Sequence, residues 1–249
     1  MPRSARKQSD WGMYHAMVRG INRQRIFEDD EDRRLFLRIL AETTEKTGFR
    51  LFAWCLMPNH VHLLLQEGEE PIGQIFKRLG TKYVYWYNRR HGRTGHLFQD
   101  RFRSETVEDD AGFIAVIRYI HMNPVKAGLA ETPGEYPWCS YRDYFELTSL
   151  TDPSMILGMM DREAFYAFHS ENGPDLGMDL DERDKMRLPD EKVAEILREQ
   201  FGCSGPSDFA LLPEGKRAIA LRRLLKAGGS IRQVSRLTGE SVGIVRKYR

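Results

Sequence analysis

The chain has 249 residues, of which 41% are hydrophobic and 11% are aromatic. This length and composition suffice for one ordinary domain plus a smaller second one, and they exclude a wholly disordered chain. The formal charge of +2, from 38 basic and 36 acidic residues, is too small to identify a class of partner. The three cysteines show no zinc-binding spacing, and no apolar run approaches about 18 residues. We therefore expect a cytoplasmic protein with reduced cysteines and no signal peptide or membrane span.

The first part of the chain mixes strand and helix patterns. In chain order these predict a short strand, a helix, two strands joined by a turn, a second helix, a strand and a third helix, at residues 14–18, 29–43, 49–65, 71–86, 96–107 and 111–122. Asp109-Asp110 is placed to cap the third helix, and Asn123-Pro124 is placed to end it. This order predicts an α+β fold, a largely antiparallel sheet with helices on one face.

An acidic segment follows. Eight acidic residues stand against three basic ones between Glu171 and Glu191, and glycine and proline are frequent nearby. Because such composition favours exposed chain over a packed core, we interpret residues 148–190 as an acidic linker with some helix.

The last segment is basic. From Lys216 to Arg249 there are ten basic residues and one acidic residue, a local net charge of +9. Such a block suits a polyanion, or it forms a solvated helical face. Ser230 and Ser241 are placed to cap two short helices around Gly239, which is a helix-turn-helix pattern. We predict a helical DNA-binding domain over residues 191–249, with a small oligomerisation bundle as the alternative.

Two histidines carry the strongest local chemical signal. His60 and His62 alternate within a predicted strand, so both imidazoles project from one face. Their Cα atoms would lie roughly 6.5 Å apart, close enough for both rings to converge on one cation. A lone His-x-His is common, so surface or core histidines remain the alternative.

A second pair of residues strengthens that signal. Tyr119 and Asn123 are four residues apart in the third predicted helix and therefore share a face. With His60 and His62, the amide oxygen of Asn123 would complete a site of two nitrogens and one oxygen. Such a site suits Mg²⁺ or Mn²⁺ and leaves positions open for a phosphate. Alternatively, Tyr119 is a half-buried core aromatic and Asn123 a helix-terminal residue.

Four ordered blocks of sequence identify a family. Together they resemble the REP-associated tyrosine transposases, a branch of the single-tyrosine HUH transposases, over residues 8–147. The blocks are Arg19-Gly20 with Ile26-Phe27 and Asp29-Asp30, then MPNHVHLLL from Met57, GHLFQDRFRS from Gly95 and YIHMNPVKAGL from Tyr119. The resemblance implies a ferredoxin-like nuclease domain with His60 and His62 as metal ligands and Tyr119 as nucleophile. Related insertion-sequence transposases place a glutamine where this chain has Asn123.

The resemblance also implies an activity. The implied protein is a metal-dependent endonuclease and strand transferase that forms a 5′-phosphotyrosine intermediate on single-stranded DNA with palindromic hairpins. It would act as a monomer or a homodimer. Two alternatives remain: a non-catalytic DNA-binding regulator of palindromic repeats, and a metal-dependent phosphodiesterase without a covalent intermediate. His121 lies two residues after Tyr119 and faces away from it. We therefore expect His121 to pack or to form a hydrogen bond rather than to act as a base.

Contacts to DNA are predicted from exposed cations. The aromatic and basic segment at residues 82–90 is typical of a single-strand binder, although we interpret Tyr83 and Trp86 as core residues. Unpaired cations are seldom buried, so arginines and lysines near the predicted site are the better phosphate contacts. The predicted DNA contacts are Arg89, Arg90, Arg93, Arg101, Arg103 and Lys126, together with Arg246 and Lys247 on the last helix.

Overall fold

The structure is a computed structural model that describes residues 7–146, 150–170 and 190–248. The chain divides into two compact units between residues 180 and 181. Within the described part of the chain, no helix combines the length and hydropathy needed to cross a bilayer.

The first unit follows the predicted order of elements. Among its described residues, the strands and α-helices are β1 (Met13–Arg19), α1 (Asp30–Thr47), β2 (Arg50–Met57), β3 (His60–Gln66), α2 (Ile72–Arg90), β4 (Arg103–Thr106), α3 (Asp110–Lys126), α4 (Ser154–Met159) and α5 (Arg162–Ser170).

Side-chain caps explain where the main helices begin. The Asp29 carboxylate accepts hydrogen bonds from the backbone N–H groups of Glu31 and Asp32 at the start of α1. The Asp109 carboxylate accepts one from Gly112 at 2.6 Å at the start of α3, as the sequence predicted. The expected end of α3 at Asn123-Pro124 was wrong, because the helix continues to Lys126. A proline removes only its own N–H, and Ala127 still donates to the carbonyl of Asn123 at 3.0 Å.

The four strands form one antiparallel sheet in the order β2-β3-β1-β4. Strands β2 and β3 form a hairpin, and β1 pairs with β3 from Met13 opposite Gln66 to Arg19 opposite His60. The last strand is shorter than the predicted 96–107, because the chain makes regular pairing only from Arg103 to Thr106. These contacts make β3 and β1 the central strands.

The two faces of the sheet are both covered. One face packs against α1 and α2 in an aromatic core that contains Phe27, Phe36 and Tyr83. The other face packs against α3, α5 and the adjoining turns through residues such as Phe52 and Phe113. The predicted α+β class is therefore confirmed. The expectation that the helices share one face holds for α1 and α2 and needs correction for α3, which lies opposite.

The first unit extends past its predicted end at residue 147. Ile156 of α4 and Phe165 of α5 are both 1% exposed and pack in the core of the α3 face. Residues 150–170 are therefore part of this unit rather than of a linker. A linker was expected because glycine, proline and acidic residues cluster in the later part of this segment, from residue 171 onward. The earlier part contains the apolar side chains that anchor two short helices. The rest of the predicted acidic linker, residues 171–189, lies outside the described residues.

The second unit is a small helical domain. Its core joins residues of every helix, including Leu197, Phe209, Leu221 and Val234. The helices are α6 (Asp190–Phe201), α7 (Pro206–Ala210), α8 (Glu214–Lys226), α9 (Ile231–Thr238) and α10 (Val242–Arg246).

The last two helices have the predicted caps. Ser230 and Gln233 form a reciprocal capping box at α9, and Ser241 accepts from the N–H of Ile244 in α10. Gly239 joins them with φ +74°, a left-handed conformation that favours glycine. Helix α10 ends at Arg246, before the predicted end at Tyr248. The DNA-binding role of this helix pair stays a prediction.

Candidate active site

Three histidines meet on the α3 face of the sheet. His60 and His62 alternate with Val61 and Leu63, which point into the opposite core, as the sequence predicted. His15 of β1 joins them on the same face. The ring centroids of His60 and His62 lie 4.9 Å apart, and those of His15 and His62 lie 5.2 Å apart. All three side chains are buried, at 8%, 0% and 0% exposure for His60, His62 and His15.

Helix α3 brings Tyr119 and Asn123 to these histidines. The half-buried ring of Tyr119 lies 5.6 Å from the ring of His62 and 5.4 Å from that of His15, in edge contacts. The Asn123 side-chain Nδ2 donates to the carbonyl oxygen of Tyr119 at 2.9 Å. This bond orients the amide so that its oxygen is the remaining polar atom. Tyr119 and Asn123 therefore share one helix face, as predicted, and that face meets the histidines within a single chain.

The neighbouring Asn59 determines which nitrogen of His60 carries the proton. Asn59 Nδ2 donates to the carbonyl oxygen of Arg23 at 3.3 Å, so its Oδ1 is the atom that lies 2.6 Å from His60 Nδ1. An amide oxygen can only accept, so Nδ1 of His60 is the donor. In neutral His60 the lone pair is then on Nε2. That atom is buried and makes no hydrogen bond within residues 7–146, 150–170 and 190–248.

Burial keeps these imidazoles neutral. Burial, with a smaller contribution from the nearby Arg19, lowers the pKa of His60 to about 3, while the Asn123 side chain acts in the opposite direction. Burial likewise lowers the pKa of His15 to about 3 and that of His62 well below its ordinary value. Neutral imidazole is the form that binds a metal ion.

These features fit a divalent metal. His60 offers a buried lone pair on Nε2, His62 is its neighbour on the strand, and Asn123 offers an amide oxygen. In the described residues no three His, Cys, Asp or Glu side chains are grouped to hold a metal. A site here would therefore depend on the amide of Asn123 as its third protein ligand. Two nitrogens and one oxygen suit Mn²⁺, and Mg²⁺ with additional water.

Cations surround the α3 face. Arg19 lies opposite His60 in the strand register, and Arg103 lies opposite Met17, which itself lies opposite His62. Lys126, one of the predicted contacts, places its ammonium 5.0 Å from the centre of the Tyr119 ring. Positive charge at these positions suits a phosphodiester beside the tyrosine.

The remaining predicted contacts are less uniform. Arg90 forms ion pairs with Asp29, Glu31 and Asp32, with nitrogen to oxygen distances of 2.5–2.8 Å. Arg93 donates to Gln24 at 3.0 Å. These partners give both arginines a structural role, so the rationale that unpaired cations bind DNA does not apply to them.

Arg89 and Arg101 are exposed, as are Arg246 and Lys247 at the end of α10. Arg101 also lines a cavity of about 340 Å³ beside α2, which opens on the face opposite the histidines. All four residues stay predicted DNA contacts.

Two site residues were missed in the sequence. His15 and Arg19 lie in the strand MYHAMVR, where Tyr14, Ala16 and Val18 face the aromatic core. The alternation of His15, Met17 and Arg19 was the available signal. It could not be interpreted without knowing that β1 pairs with β3.

His121 behaves as predicted. It lies on the other side of α3, fully buried, with its Nδ1 3.0 Å from His169 Nε2 and its Nε2 2.9 Å from Ser140 Oγ. These bonds tie α3 to α5 and to the turn at Ser140. His121 therefore packs and forms hydrogen bonds away from Tyr119.

Comparison with known proteins shows what the segment that contains the site is similar to. The family model described as "Transposase IS200 like" matches residues 9–123. The chain is 29% identical over 117 residues to a REP-associated tyrosine transposase of Haemophilus influenzae, covering 43% of this chain and 66% of that protein. It is 21% identical over 95 residues to the REP-associated tyrosine transposase of Escherichia coli, covering 37% of this chain and 54% of that protein. The matched segment thus spans less than two thirds of either curated relative.

A solved structure of a REP-associated tyrosine transposase bound to a REP hairpin is 18% identical in sequence to this chain. Its superposition covers 61% of this chain and 94% of the solved chain, with a TM-score of 0.49. The family model includes both strand histidines, Tyr119 and Asn123, and the resemblance found in the sequence is confirmed. Residues 9–123 therefore match IS200-like transposases, and the chain is similar to REP-associated tyrosine transposases.

Proposed function

We propose that this protein is a metal-dependent endonuclease and strand transferase for single-stranded DNA, with Tyr119 as the nucleophile. The observation that carries the proposal is the position of the Tyr119 ring, 5.6 Å from the ring of His62 and on the same helix face as Asn123. A structural tyrosine needs no neighbouring pair of neutral, buried histidines. The similarity of residues 9–123 to IS200-like transposases supports the same chemistry.

Each residue then has a role in the reaction. His60, His62 and Asn123 would hold Mg²⁺ or Mn²⁺, which supplies Lewis-acid stabilisation of charge on the phosphate when bound. The Tyr119 oxygen forms a bond to phosphorus as the bond from phosphorus to the 3′ oxygen breaks. The phenolic proton passes to water, and the departing 3′ oxygen takes a proton from water. The products are a 5′-phosphotyrosine and a 3′-hydroxyl, and the covalent link allows rejoining without ATP.

The substrate class follows from the same site. Arg19, Arg103 and Lys126 supply positive charge around Tyr119, which suits a phosphodiester at this site. We propose single-stranded DNA next to a palindromic hairpin, because the relatives are REP-associated transposases. A single chain carries all the groups named, so a monomer suffices and a homodimer is not required.

Substitution of Tyr119 by phenylalanine tests the mechanism. The change removes one oxygen from a half-buried ring, so the protein should still fold. Its DNA affinity should stay within about twofold of wild type. Wild type incubated with Mn²⁺ and 3′-labelled hairpin DNA should give a protein–DNA band that resists denaturant. Tyr119→Phe should give none.

The same assay separates the alternatives, with Tyr83→Phe as a matched control on the opposite, aromatic core. Cleavage without a covalent band in the wild type would identify a phosphodiesterase. Binding without cleavage would identify a regulator. A covalent band of normal intensity from Tyr119→Phe would show that another residue attacks.

We also propose that the second unit binds duplex or hairpin DNA. Helix α10 follows a tight turn at Gly239, and its exposed residues include Val242, Ile244 and Arg246. Exposed apolar side chains at the start of such a helix suit the thymine methyl groups of a major groove, and the cation at its end suits a phosphate. An oligomerisation bundle would instead bury Val242 and Ile244 between copies.

A further inference from the structure

His15 has no role in the mechanism proposed above. It lies on β1, one of the two central strands, and is fully buried in the layer beneath α3. Its Nε2 lies 3.0 Å from His62 Nδ1, and the two rings are stacked with an angle of 27° between their planes. Burying a polar ring in a core costs free energy unless hydrogen bonds replace those that it made to water. The contact to His62 provides one such hydrogen bond.

We propose that His15 is a positioning residue that accepts the Nδ1 proton of His62 and so leaves the lone pair of His62 on Nε2, the nitrogen directed to the metal. This inference rests on the proposed metal-dependent function. Nδ1 of His62 already faces His15, so Nε2 is the nitrogen left to bind a cation. Metal-binding histidines in proteins commonly donate their second ring N–H to a fixed acceptor, which sets both tautomer and ring orientation.

The same logic operates on both ligands. Asn59 Oδ1 can only accept, so it holds the proton of His60 on Nδ1 without help. His15 can either accept from His62 or donate to it, because a neutral imidazole has one donor and one acceptor. If His15 donates, the proton of His62 sits on Nε2 and the lone pair faces away from the cation. Only the arrangement in which His15 accepts produces a ligand.

The surroundings of His15 keep both arrangements possible. The ring of His15 is fully buried, and in its neutral form Nε2 can accept a hydrogen bond. Its Nδ1 is buried and makes no hydrogen bond to any residue that the structure describes. Neither tautomer of His15 therefore gains a second partner, and the bound cation decides between them. We expect metal binding to shift the shared proton onto His62.

Two substitutions at His15 distinguish positioning from packing. In His15→Gln the amide oxygen can still accept from His62 Nδ1, and in His15→Leu nothing can. We expect His15→Leu to weaken Mn²⁺ affinity by about 10- to 100-fold and His15→Gln to stay within about threefold of wild type. His169→Phe removes a buried histidine elsewhere in the unit and should leave Mn²⁺ affinity unchanged. Affinity is measured by titration calorimetry and by the electron paramagnetic resonance of Mn²⁺, with thermal unfolding to compare folding.

A second measurement uses the wild type alone. Nitrogen-15 NMR of the histidine rings with saturating Mg²⁺ should show the proton of His62 on Nδ1. Equal Mn²⁺ affinity in His15→Leu and wild type, or a Mg²⁺-loaded His62 protonated on Nε2, would overturn the role of His15 alone. A wild type that binds neither ion would overturn the metal-dependent function, and the role of His15 with it.

Discussion

The two units of this chain place their polar residues in opposite ways. The first unit buries the histidines of its candidate site, with His62 and His15 fully covered between sheet and helix. The second unit has an apolar core of its own and exposes its cations, including Arg246 and Lys247. Burial fixes the protonation state and orientation of a few side chains, and a catalytic site requires both. Exposure leaves charges hydrated and adaptable, which is what recognition of a polyanion requires. The comparison predicts that cleavage and duplex binding are separable.

The largest expected effect is in the first unit. His60→Ala removes a proposed metal ligand, whose buried Nε2 makes no hydrogen bond to any residue that the structure describes. We expect Mn²⁺ affinity to fall by more than about 100-fold and nicking to become undetectable. Binding to duplex DNA should change little, because that contact is assigned to the second unit. Calorimetry and a gel-based nicking assay measure the two properties.

His169→Phe is the matched control, since it also removes a buried histidine but lies behind α3. It should still nick DNA. Nicking by His60→Ala that continues undiminished, or that persists in wild type with chelator, would contradict the metal site.

A smaller effect is expected in the second unit. The double variant Arg246→Ala with Lys247→Ala removes two exposed charges near the end of α10. Duplex affinity should fall, and the slope of log affinity against log salt should decrease by about 0.9 for each phosphate that the protein no longer neutralises. Cleavage of a short single strand should be unaffected.

Arg236→Ala provides the comparison, because Arg236 is already paired with Asp190. It should change the slope less than the double variant does. An unchanged slope in the double variant would show that the second unit has another role, such as association between copies.

The smallest expected effect is on the pH dependence of the free energy of unfolding, to which the buried histidines contribute. Burial lowers the pKa of His169 to about 4, whereas an unfolded histidine has a pKa of about 6.5. Between these values the unfolded chain binds a proton that the folded chain does not. The free energy of unfolding therefore falls as pH decreases from 6.5 to 4, by at most about 1.4 kcal/mol per pH unit for this group.

In His169→Phe that contribution disappears. We expect lower stability at pH 7, because His121 loses its partner, but a shallower fall from pH 6.5 to 4. Urea unfolding at several pH values measures both. A slope equal to that of wild type would show that His169 is not neutral in the folded protein.

Local patterns predicted much of the site. The two-residue period of a strand placed His60 and His62 together, and the helical repeat placed Tyr119 one turn from Asn123. Each inference needs only neighbours in sequence. That the strand and the helix would meet depended on the family resemblance.

Long-range contacts explain what was missed. His15 reaches His62 because β1 pairs with β3, 47 residues away in sequence. Arg90 is held by Asp29 and Asp32, 61 and 58 residues away, so its ion pairs could not be inferred from its own helix. The side of the sheet on which α3 packs was unpredictable for the same reason. An amphipathic pattern shows that a helix has a buried face, but it does not show which surface covers it.

The hairpin between β2 and β3 limits how this protein can change in length. Its turn has only Pro58 and Asn59, and His60 comes directly after them. Deleting one residue near the start of β3 would exchange the two faces for all later residues of the strand. Apolar side chains would then replace imidazole beneath α3, and a buried polar ring would enter the aromatic layer under α1 and α2. Among descendants of this gene, we expect no insertions or deletions in this hairpin.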